Sequence, residues 1–244
     1  MKYLFFISWF RAREKQLVDQ VDLDRMIGAS SMDEAFKVFN DTDYALYLGG
    51  KTYLDIEKII EEEREDFKKT LEKMGMEKDV LSFLFLKDTL CSVSRKAKEK
   101  IFKIQKDAGF QGKDIEREIL KEIEERKPKK PEEVDSIATD IYFEKSIRFL
   151  EGFGEREVGG FFAKYYEKIK EASEDLKERD IILSEMEEDI VEESREKIEG
   201  MIPILSFFIK RRRVEHFIRA VFSGKKLGLP SDKIYNLIEQ RRVL

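Results

Sequence analysis

Cysteine, histidine and proline are scarce in this 244-residue chain, and each shortage excludes a class of structure or site. The single cysteine, Cys91, rules out an intramolecular disulfide and is typical of a reducing compartment. The single histidine, His216, leaves no Glu-x-x-His or His-x-x-x-His spacing for a zinc site. It also leaves no second histidine from which to build a nucleophile–base pair, although lysine-based schemes stay open.

Long apolar runs are also missing. The longest apolar stretch near the start, Tyr3 to Phe10, is eight residues long and is followed at once by Arg11 and Arg13. It is too short for a membrane span and lacks a signal-peptide cleavage pattern, so we interpret it as a buried first helix. With 41% charged residues and only four prolines, the composition predicts a soluble protein of long helices.

Helix signals recur along the chain, and alternating strand patterns do not. We therefore predict an all-α fold of packed long and short helices, in subdomains 1–126 and 133–244 joined by a Pro/Lys linker at 127–132. Helices are predicted at 3–19, 22–27, 31–40, 52–74, 78–106, 113–126, 133–151, 161–177, 184–199, 203–222 and from 231 onward. Gly224 is predicted to end the long C-terminal helix in a left-handed conformation.

One segment fits a nucleotide-binding pattern. Residues 45–52 match the permissive form of the P-loop, with Ala45 in place of the first glycine. A P-loop joins a buried strand to a helix, but here a helix is predicted before the segment and its interior is apolar. We interpret Gly49 and Gly50 as a turn and Thr52 as a helix cap. A nucleotide-dependent enzyme using Lys51 is the alternative.

The last 44 residues are basic, whereas the rest of the chain is acidic. They contain ten Lys/Arg against three acids, a net of +7, so the other 200 residues total −12 in a chain of −5. The acidic remainder opposes nucleic-acid binding, and no nucleic-acid motif is present. A basic helical hairpin on an acidic body suggests a docking surface for an acidic partner.

Helical spacing divides the basic helix into faces. Four consecutive cations, Lys210 to Arg213, spread over roughly 300° of a helix and cannot all meet one partner. We predict that Arg212 and Arg219, with Lys225 beyond the helix end, bind the acidic partner. The core side is predicted to comprise Phe207, Phe208, Val214, Phe217, Ile218 and Val221.

Two separated segments carry motifs in a recognisable order. The N-terminal segment reads Arg11-Ala12-Arg13, Asp22-Leu23-Asp24-Arg25-Met26-Ile27, Asp33-Glu34-Ala35-Phe36 and Phe39-Asn40-Asp41-Thr42-Asp43-Tyr44. The C-terminal segment reads Phe208-Ile209-Lys210, Phe217-Ile218-Arg219, Gly224-Lys225 and Gly228-Leu229-Pro230. Together they resemble the C-type subunits of the rotary V/A-type ATPases, a family whose eukaryotic members are called d-type. The likeness lies in the arginine-bearing first helix, the DL-RL helix and the NIR and GK–GLP patterns of that family.

The chain also departs from the family pattern. Phe217 stands where the family has the asparagine of NIR, and the internal YD–N-K helix is only faintly present at 85–88. The chain is shorter than most members, which predicts that one helical subdomain of the family's three-part funnel is reduced.

The resemblance implies a socket rather than an enzyme. Members of that family cap the membrane rotor ring and receive the central stalk, made of D- and F-type subunits. Torque passes through them between the ATP-hydrolysing or ATP-synthesising head and the ion-carrying ring. No cofactor, metal, nucleic acid or small-molecule substrate is implied, and the location is cytoplasmic, peripheral to the membrane through the ring. An unrelated all-helical scaffold or adapter is the main alternative.

Overall fold

The structure, a computed structural model, describes residues 3–102, 114–172 and 176–239, and these residues form an all-α fold without strands. The helices are α1 (Leu4–Glu14), α2 (Gln20–Gly28), α3 (Met32–Lys37), α4 (Ile56–Lys73), α5 (Lys78–Leu84), α6 (Leu86–Phe102), α7 (Asp114–Glu125), α8 (Pro131–Gly152), α9 (Arg156–Glu171), α10 (Leu176–Glu193), α11 (Ile202–Lys226) and α12 (Ser231–Glu239). Short 3-10 helices cover Val38–Asp41, Asp43–Tyr47 and Tyr53–Asp55. The predicted fold class is confirmed.

Capping side chains fix the starts of several helices. The predicted cap at Thr52 is confirmed: its hydroxyl accepts from Leu54 N, and the Asp55 carboxylate accepts from Thr52 N at 2.9 Å. This reciprocal pair starts a 3-10 turn that leads into α4. The helix predicted over 22–27 begins earlier, at Gln20, because Asp19 caps α2 and Asp22 completes the capping box from inside the helix.

Some predicted boundaries shift by a few residues. The first helix ends at Glu14, and the helix predicted to reach Asn40 ends at Lys37 and tightens into a 3-10 turn. The helix predicted over 78–106 is two helices, α5 and α6, separated at Phe85. Residues 103–106 of that prediction, and the break predicted at 108–112, lie outside the described residues. In the parts of the chain described, no helix is long and apolar enough to cross a membrane.

The chain forms two compact units, and one of them is discontinuous in sequence. Unit 1 comprises Met1–Met76 and Ser184–Leu244, and unit 2 comprises Glu77–Leu183. This division differs from the predicted subdomains 1–126 and 133–244. The predicted linker at 127–132 lies inside unit 2 as the turn between α7 and α8, because both helices pack on each other and on α6. In unit 2, the core is built around α8, which also packs on α9.

In unit 1, α11 is the central helix. Its 25 residues contact α1, α2, α3, α4 and α12, so the two ends of the chain share one core. The Phe10 ring of α1 stacks on Phe207 at 4.7 Å, and Phe39 stacks on Phe222 at 5.7 Å. Pro203 lies in the first turn of α11 as predicted, where its missing N–H costs no hydrogen bond.

Gly224 does not end α11, contrary to the prediction. The helix continues to Lys226, and the glycine in the left-handed region is Gly228, at φ 68°. Gly224 instead lets α12 approach closely, since a Cβ added there would lie 2.7 Å from Cγ1 of Ile234. The absence of a side chain therefore sets the packing distance of the C-terminal hairpin.

We expect Gly224→Ala to destabilise unit 1 by about 1–3 kcal/mol, because the methyl group overpacks the α11–α12 contact. Gly160→Ala is the control, since that exposed helical glycine has open space around it and alanine should stabilise by roughly 0.5–1 kcal/mol. Urea denaturation measures both changes.

Truncating Ile234 should separate the cost of overpacking from the effect of alanine on helix propensity. In an Ile234→Ala background, Gly224→Ala should cost much less, because the space it needs has been created. An equal cost in both backgrounds would contradict the packing explanation.

Candidate partner-binding residues and a buried charge network

The four consecutive cations of α11 each meet carboxylates of unit 1. Lys210 donates to Glu14 of α1, and Arg211 is buried against Glu63. On α10, Glu187 lies 3.6 Å from Arg212, and Glu188 lies 2.8 Å from Arg213. The basic run of α11 therefore has acidic partners within its own unit, before any external partner is considered.

Arg219 is held by two carboxylates. Its Nε donates to both oxygens of Glu57 at 3.0 Å, and its Nη1 lies 3.6 Å from Glu215. The Glu57 side chain is 70% exposed, so this end of the pair faces water. Of the predicted partner-binding residues, Arg219 is the one whose partner is the most accessible.

Lys225 caps the end of another helix. Its Nζ donates to the backbone carbonyl of Ala29 at 2.7 Å, just after α2 ends, and partial burial lowers its pKa. A cation suits this position because the last carbonyls of a helix carry partial negative charge. Nearby lies an open cleft of about 370 Å³. It is lined by Arg25, Gly28, Ala29, Glu34, Lys37 and Val38.

The predicted core side of α11 is confirmed. Phe207, Phe208, Val214, Phe217, Ile218 and Val221 are all buried. Arg212, Arg219 and Lys225 contact carboxylates or carbonyls of different elements, namely α10, α4 and the end of α2. Their predicted role in partner binding stays a prediction.

A network of charges runs through the interior of unit 1, and the sequence analysis missed it. It contains four arginines and four carboxylates, so it is formally neutral. Its members are Arg13, Arg64, Arg211, Arg219, Asp43, Glu57, Glu63 and Glu215. It connects α1, α4, α11 and the 3-10 helix Asp43–Tyr47, which come from both ends of the chain.

Arg211 lies at the centre of this network and is only 2% exposed. It donates to Glu63, and its Nη1 lies 3.2 Å from Glu215, one turn along α11. Its guanidinium carbon lies 4.8 Å from the centre of the Phe67 ring. Burial alone would lower the pKa of Arg211, but the carboxylates of Glu63 and Glu215 raise it above its ordinary value.

Two further arginines, Arg64 and Arg13, lie close to the carboxylates around Arg211. Arg64 donates to the second oxygen of Glu215, so that this buried carboxylate meets cations on both oxygens. Arg13 lies 3.8 Å from Glu63 and 3.4 Å from Asp43. Burial, more than the charges nearby, raises the pKa of Asp43.

The helical spacing contained a signal for this network. The charge of Glu63 is typical of an exposed face, but the residue follows Ile59 and Ile60 and precedes Phe67 at three- and four-residue spacing, and so lies in the buried stripe of α4. Arg211 and Glu215 likewise lie on the buried side of α11. Their charge, which usually indicates exposure, hid their positions.

The glycine–lysine segment has the geometry of a turn. A 3-10 helix precedes it rather than a strand, and Gly50 takes φ 69°. The Lys51 Nζ donates to the Tyr47 carbonyl at 2.6 Å and to Glu62 at 2.8 Å. The interpretation as a turn followed by a cap is confirmed, and the lysine is engaged with its own chain.

The residues considered for metal or nucleophile chemistry belong to different units, Cys91 to unit 2 and His216 to unit 1. Within the described part of the chain, no three His, Cys, Asp or Glu side chains are placed to hold a metal ion. Cys91 is an exposed thiol on α6, and His216 lies on α11.

We expect Arg211→Met to destabilise unit 1 by roughly 3–5 kcal/mol, because it leaves Glu63 and Glu215 buried without their central cation. The control is Arg25→Met, which removes an exposed arginine paired with Asp41 in the same unit and should change the melting temperature little. Thermal denaturation followed by circular dichroism compares them. Equal losses in the two variants would mean that the network does not stabilise the core.

The pKa of Asp43 gives a pH-dependent prediction. Its folded pKa is raised above the ordinary 3.8, so the folded state binds this proton more tightly than the unfolded state. Its stabilising contribution is present below the unfolded pKa and is lost as the pH rises through the folded pKa. The unfolding free energy of the wild type relative to Asp43→Asn should therefore fall as the pH rises above about 4.

Asp55 supplies a control of opposite sign. Hydrogen bonds from Thr52 lower the pKa of Asp55. The unfolding free energy of the wild type relative to Asp55→Asn should therefore rise as the pH rises through the same acidic range. Urea denaturation at several pH values measures both differences. Two differences with the same slope would contradict this assignment.

Comparison with known proteins does not assign the chain to a family. No protein-family model matches it, and no curated protein sequence is significantly similar to it. The membership in the rotary-ATPase family predicted from the motif order therefore stays a prediction.

Proposed function

We propose that this chain is a non-catalytic central-stalk component of a rotary V/A-type ATPase or ATP synthase. It acts as a socket between the central stalk and the membrane rotor ring and transmits torque for ion transport. Its partners are the D- and F-type stalk subunits and the ring, and it lies at the cytoplasmic face of the membrane, peripheral through the ring.

One observation carries this proposal: the two segments that resemble the family, far apart in sequence, meet in one unit. Lys210 donates to Glu14, the residue after Arg13, and Lys225 donates to the carbonyl of Ala29 at 2.7 Å. Several motif residues also hold the unit together, among them Arg13 with Asp43 and Arg219 with Glu57. Motifs that build one surface are expected when both ends serve one function.

The mechanical role has a physical basis in the same unit. A torque adapter needs stiffness, which close-packed helices provide because dense interiors deform little. The charge network adds cross-links among α1, α4 and α11, because its ion pairs join side chains of all three helices. The hydrogen bond from Lys51 to Glu62 argues against the alternative in which Lys51 binds the phosphates of a nucleotide.

The test is purification of the tagged chain from its native source, followed by reconstitution. We expect D- and F-type stalk subunits to co-purify in fixed stoichiometry. Inverted vesicles from which the chain has been stripped should lose ATP-driven ion transport and regain it when the purified chain is added. Absence of the stalk proteins, or unchanged transport in stripped vesicles, would overturn the proposal and favour an unrelated scaffold.

Charge reversal locates the docking face within that assay. Replacing Arg212 and Arg219 by Glu should weaken assembly and make it less sensitive to salt, because steering charges are reversed. Since both residues also pair inside unit 1, the variant must first show a wild-type circular dichroism spectrum. Arg117→Glu, on the exposed surface of unit 2, is the matched control. Equal assembly by both variants at low salt would exclude this face.

A further inference from the structure

Three lysines lie close together in the turn between α7 and α8 of unit 2, residues 127–131, which we call the basic turn. Lys127, Lys129 and Lys130 are all exposed. Within the described ranges, no carboxylate lies at ion-pair distance from any of their ammonium groups. The cations at 210–213 meet carboxylates of their own unit, whereas the charge of the basic turn is left without an internal partner.

The carboxylates next to the basic turn in sequence are paired with other cations. These pairs are Glu122 with Arg126, Glu124 with Lys100, Glu125 with Lys121 and Asp135 with Lys98. Glu133 accepts from the backbone N–H of Lys129 at 2.6 Å, which leaves Glu132, among these described neighbours, without such a partner. Three lysines and this one carboxylate give the basic turn a net charge of +2 after internal pairs are removed.

Two prolines and the backbone fix the shape of the basic turn. Pro128 is buried, and Pro131 lies in the first turn of α8, where its missing N–H costs no hydrogen bond. The N–H of Lys127 donates to the carbonyl of Glu124 at 3.1 Å. Because Pro128 faces inward, the lysines on either side of it are held at the surface, and a ligand has little backbone left to order.

Lys127 has an unusual backbone conformation. Its φ is 50°, and in the described part of the chain it is the one residue other than glycine with a positive φ. A residue with a Cβ is strained there, and glycine is the usual residue at this position just after a helix. Lysine therefore adds a charge to the turn at a cost in stability, which points to a use of that charge outside folding.

We propose that the basic turn is a docking site for an acidic segment of another protein, a short stretch rich in Asp and Glu. Complementary charge selects this partner, since the turn presents three ammonium groups and no large exposed apolar side chain. The proposal does not rest on the rotary function.

The size of the charged area favours a short partner segment over an extended polyanion. A membrane surface or a nucleic acid would also meet the exposed carboxylates beside the turn, Glu125 and Glu132, which repel it. Three lysines are also fewer than the roughly four to eight basic residues of clusters that bind anionic lipid surfaces. A short acidic segment can contact the lysines alone.

The test uses a fluorescein-labelled peptide of alternating Glu and Ser, with an equally labelled Gln/Ser peptide as the neutral control. Fluorescence anisotropy with the full chain should show binding of the Glu/Ser peptide that weakens as salt rises. Replacing Lys127, Lys129 and Lys130 together by Gln should weaken it about fivefold or more, because three charge pairs are lost. The matched control replaces three exposed lysines of α4 by Gln and should change binding less than about twofold, although the net charge changes equally. These control lysines are Lys58, Lys69 and Lys73.

Lys127→Gly separates the charge of this residue from a role in folding. Glycine adopts positive φ without strain, so the variant should unfold at a higher urea concentration than the wild type. It should nevertheless bind the Glu/Ser peptide about twofold more weakly, because one ammonium group is lost. Higher stability with unchanged binding would mean that this lysine does not contact the partner.

Equal binding of the Glu/Ser peptide by the wild type and the triple variant of the basic turn would overturn the proposal, and so would equal losses in the two triple variants. Tighter binding to phosphatidylserine vesicles or to single-stranded DNA, lost in the same variant, would assign the turn to a membrane or a nucleic acid instead. Self-association of the wild type in sedimentation that this variant abolishes would mean that the turn docks a second copy. Circular dichroism should show that both triple variants keep the wild-type fold, because the replaced side chains are exposed.

Discussion

The ion pair between Arg211 and Glu63 is the interaction on which the rest of unit 1 depends. It joins two helices 148 residues apart in sequence, and both side chains are buried. Burying either charge without an opposite charge would cost several kcal/mol, and each residue also has one further partner, Glu215 for Arg211 and Arg13 for Glu63. Register follows from this requirement: α11 and α4 must align so that the guanidinium meets the carboxylate. A shift by one turn would take the guanidinium of Arg211 away from the buried carboxylate of Glu63.

The discontinuous unit follows from the same constraint. The chain leaves unit 1 after α4, folds unit 2, and returns along α10. Its last helices then complete the core that α1 to α4 began. Because α11 contacts helices from both ends of the chain, the N-terminal segment alone lacks its central packing partner. Motifs at both ends of the sequence are therefore parts of one structure, and this is why the resemblance at the two ends can describe one surface.

Local features of this fold could be predicted from sequence, whereas its long-range pairing could not. Thr52 with Asp55 and Pro203 at the start of α11 act within a few residues, and the predictions of a cap at Thr52 and a first turn at Pro203 were correct. The end of α11 was predicted wrongly because Gly224 was interpreted as a local stop. Its role depends on Ile234 of α12, which no local pattern reveals. Arg211 was hidden in a run of four cations, although its position in the buried stripe distinguished it from its neighbours.

The net charge of a segment is a poor guide to its external partners until internal pairs are removed. The last 44 residues carry +7, yet the cations at 210–213 and Arg219 all meet carboxylates of unit 1. Much of the predicted attraction for an acidic partner is therefore satisfied inside the molecule. An external acid at Arg219 would have to compete with Glu57, which is itself largely exposed and can yield to it.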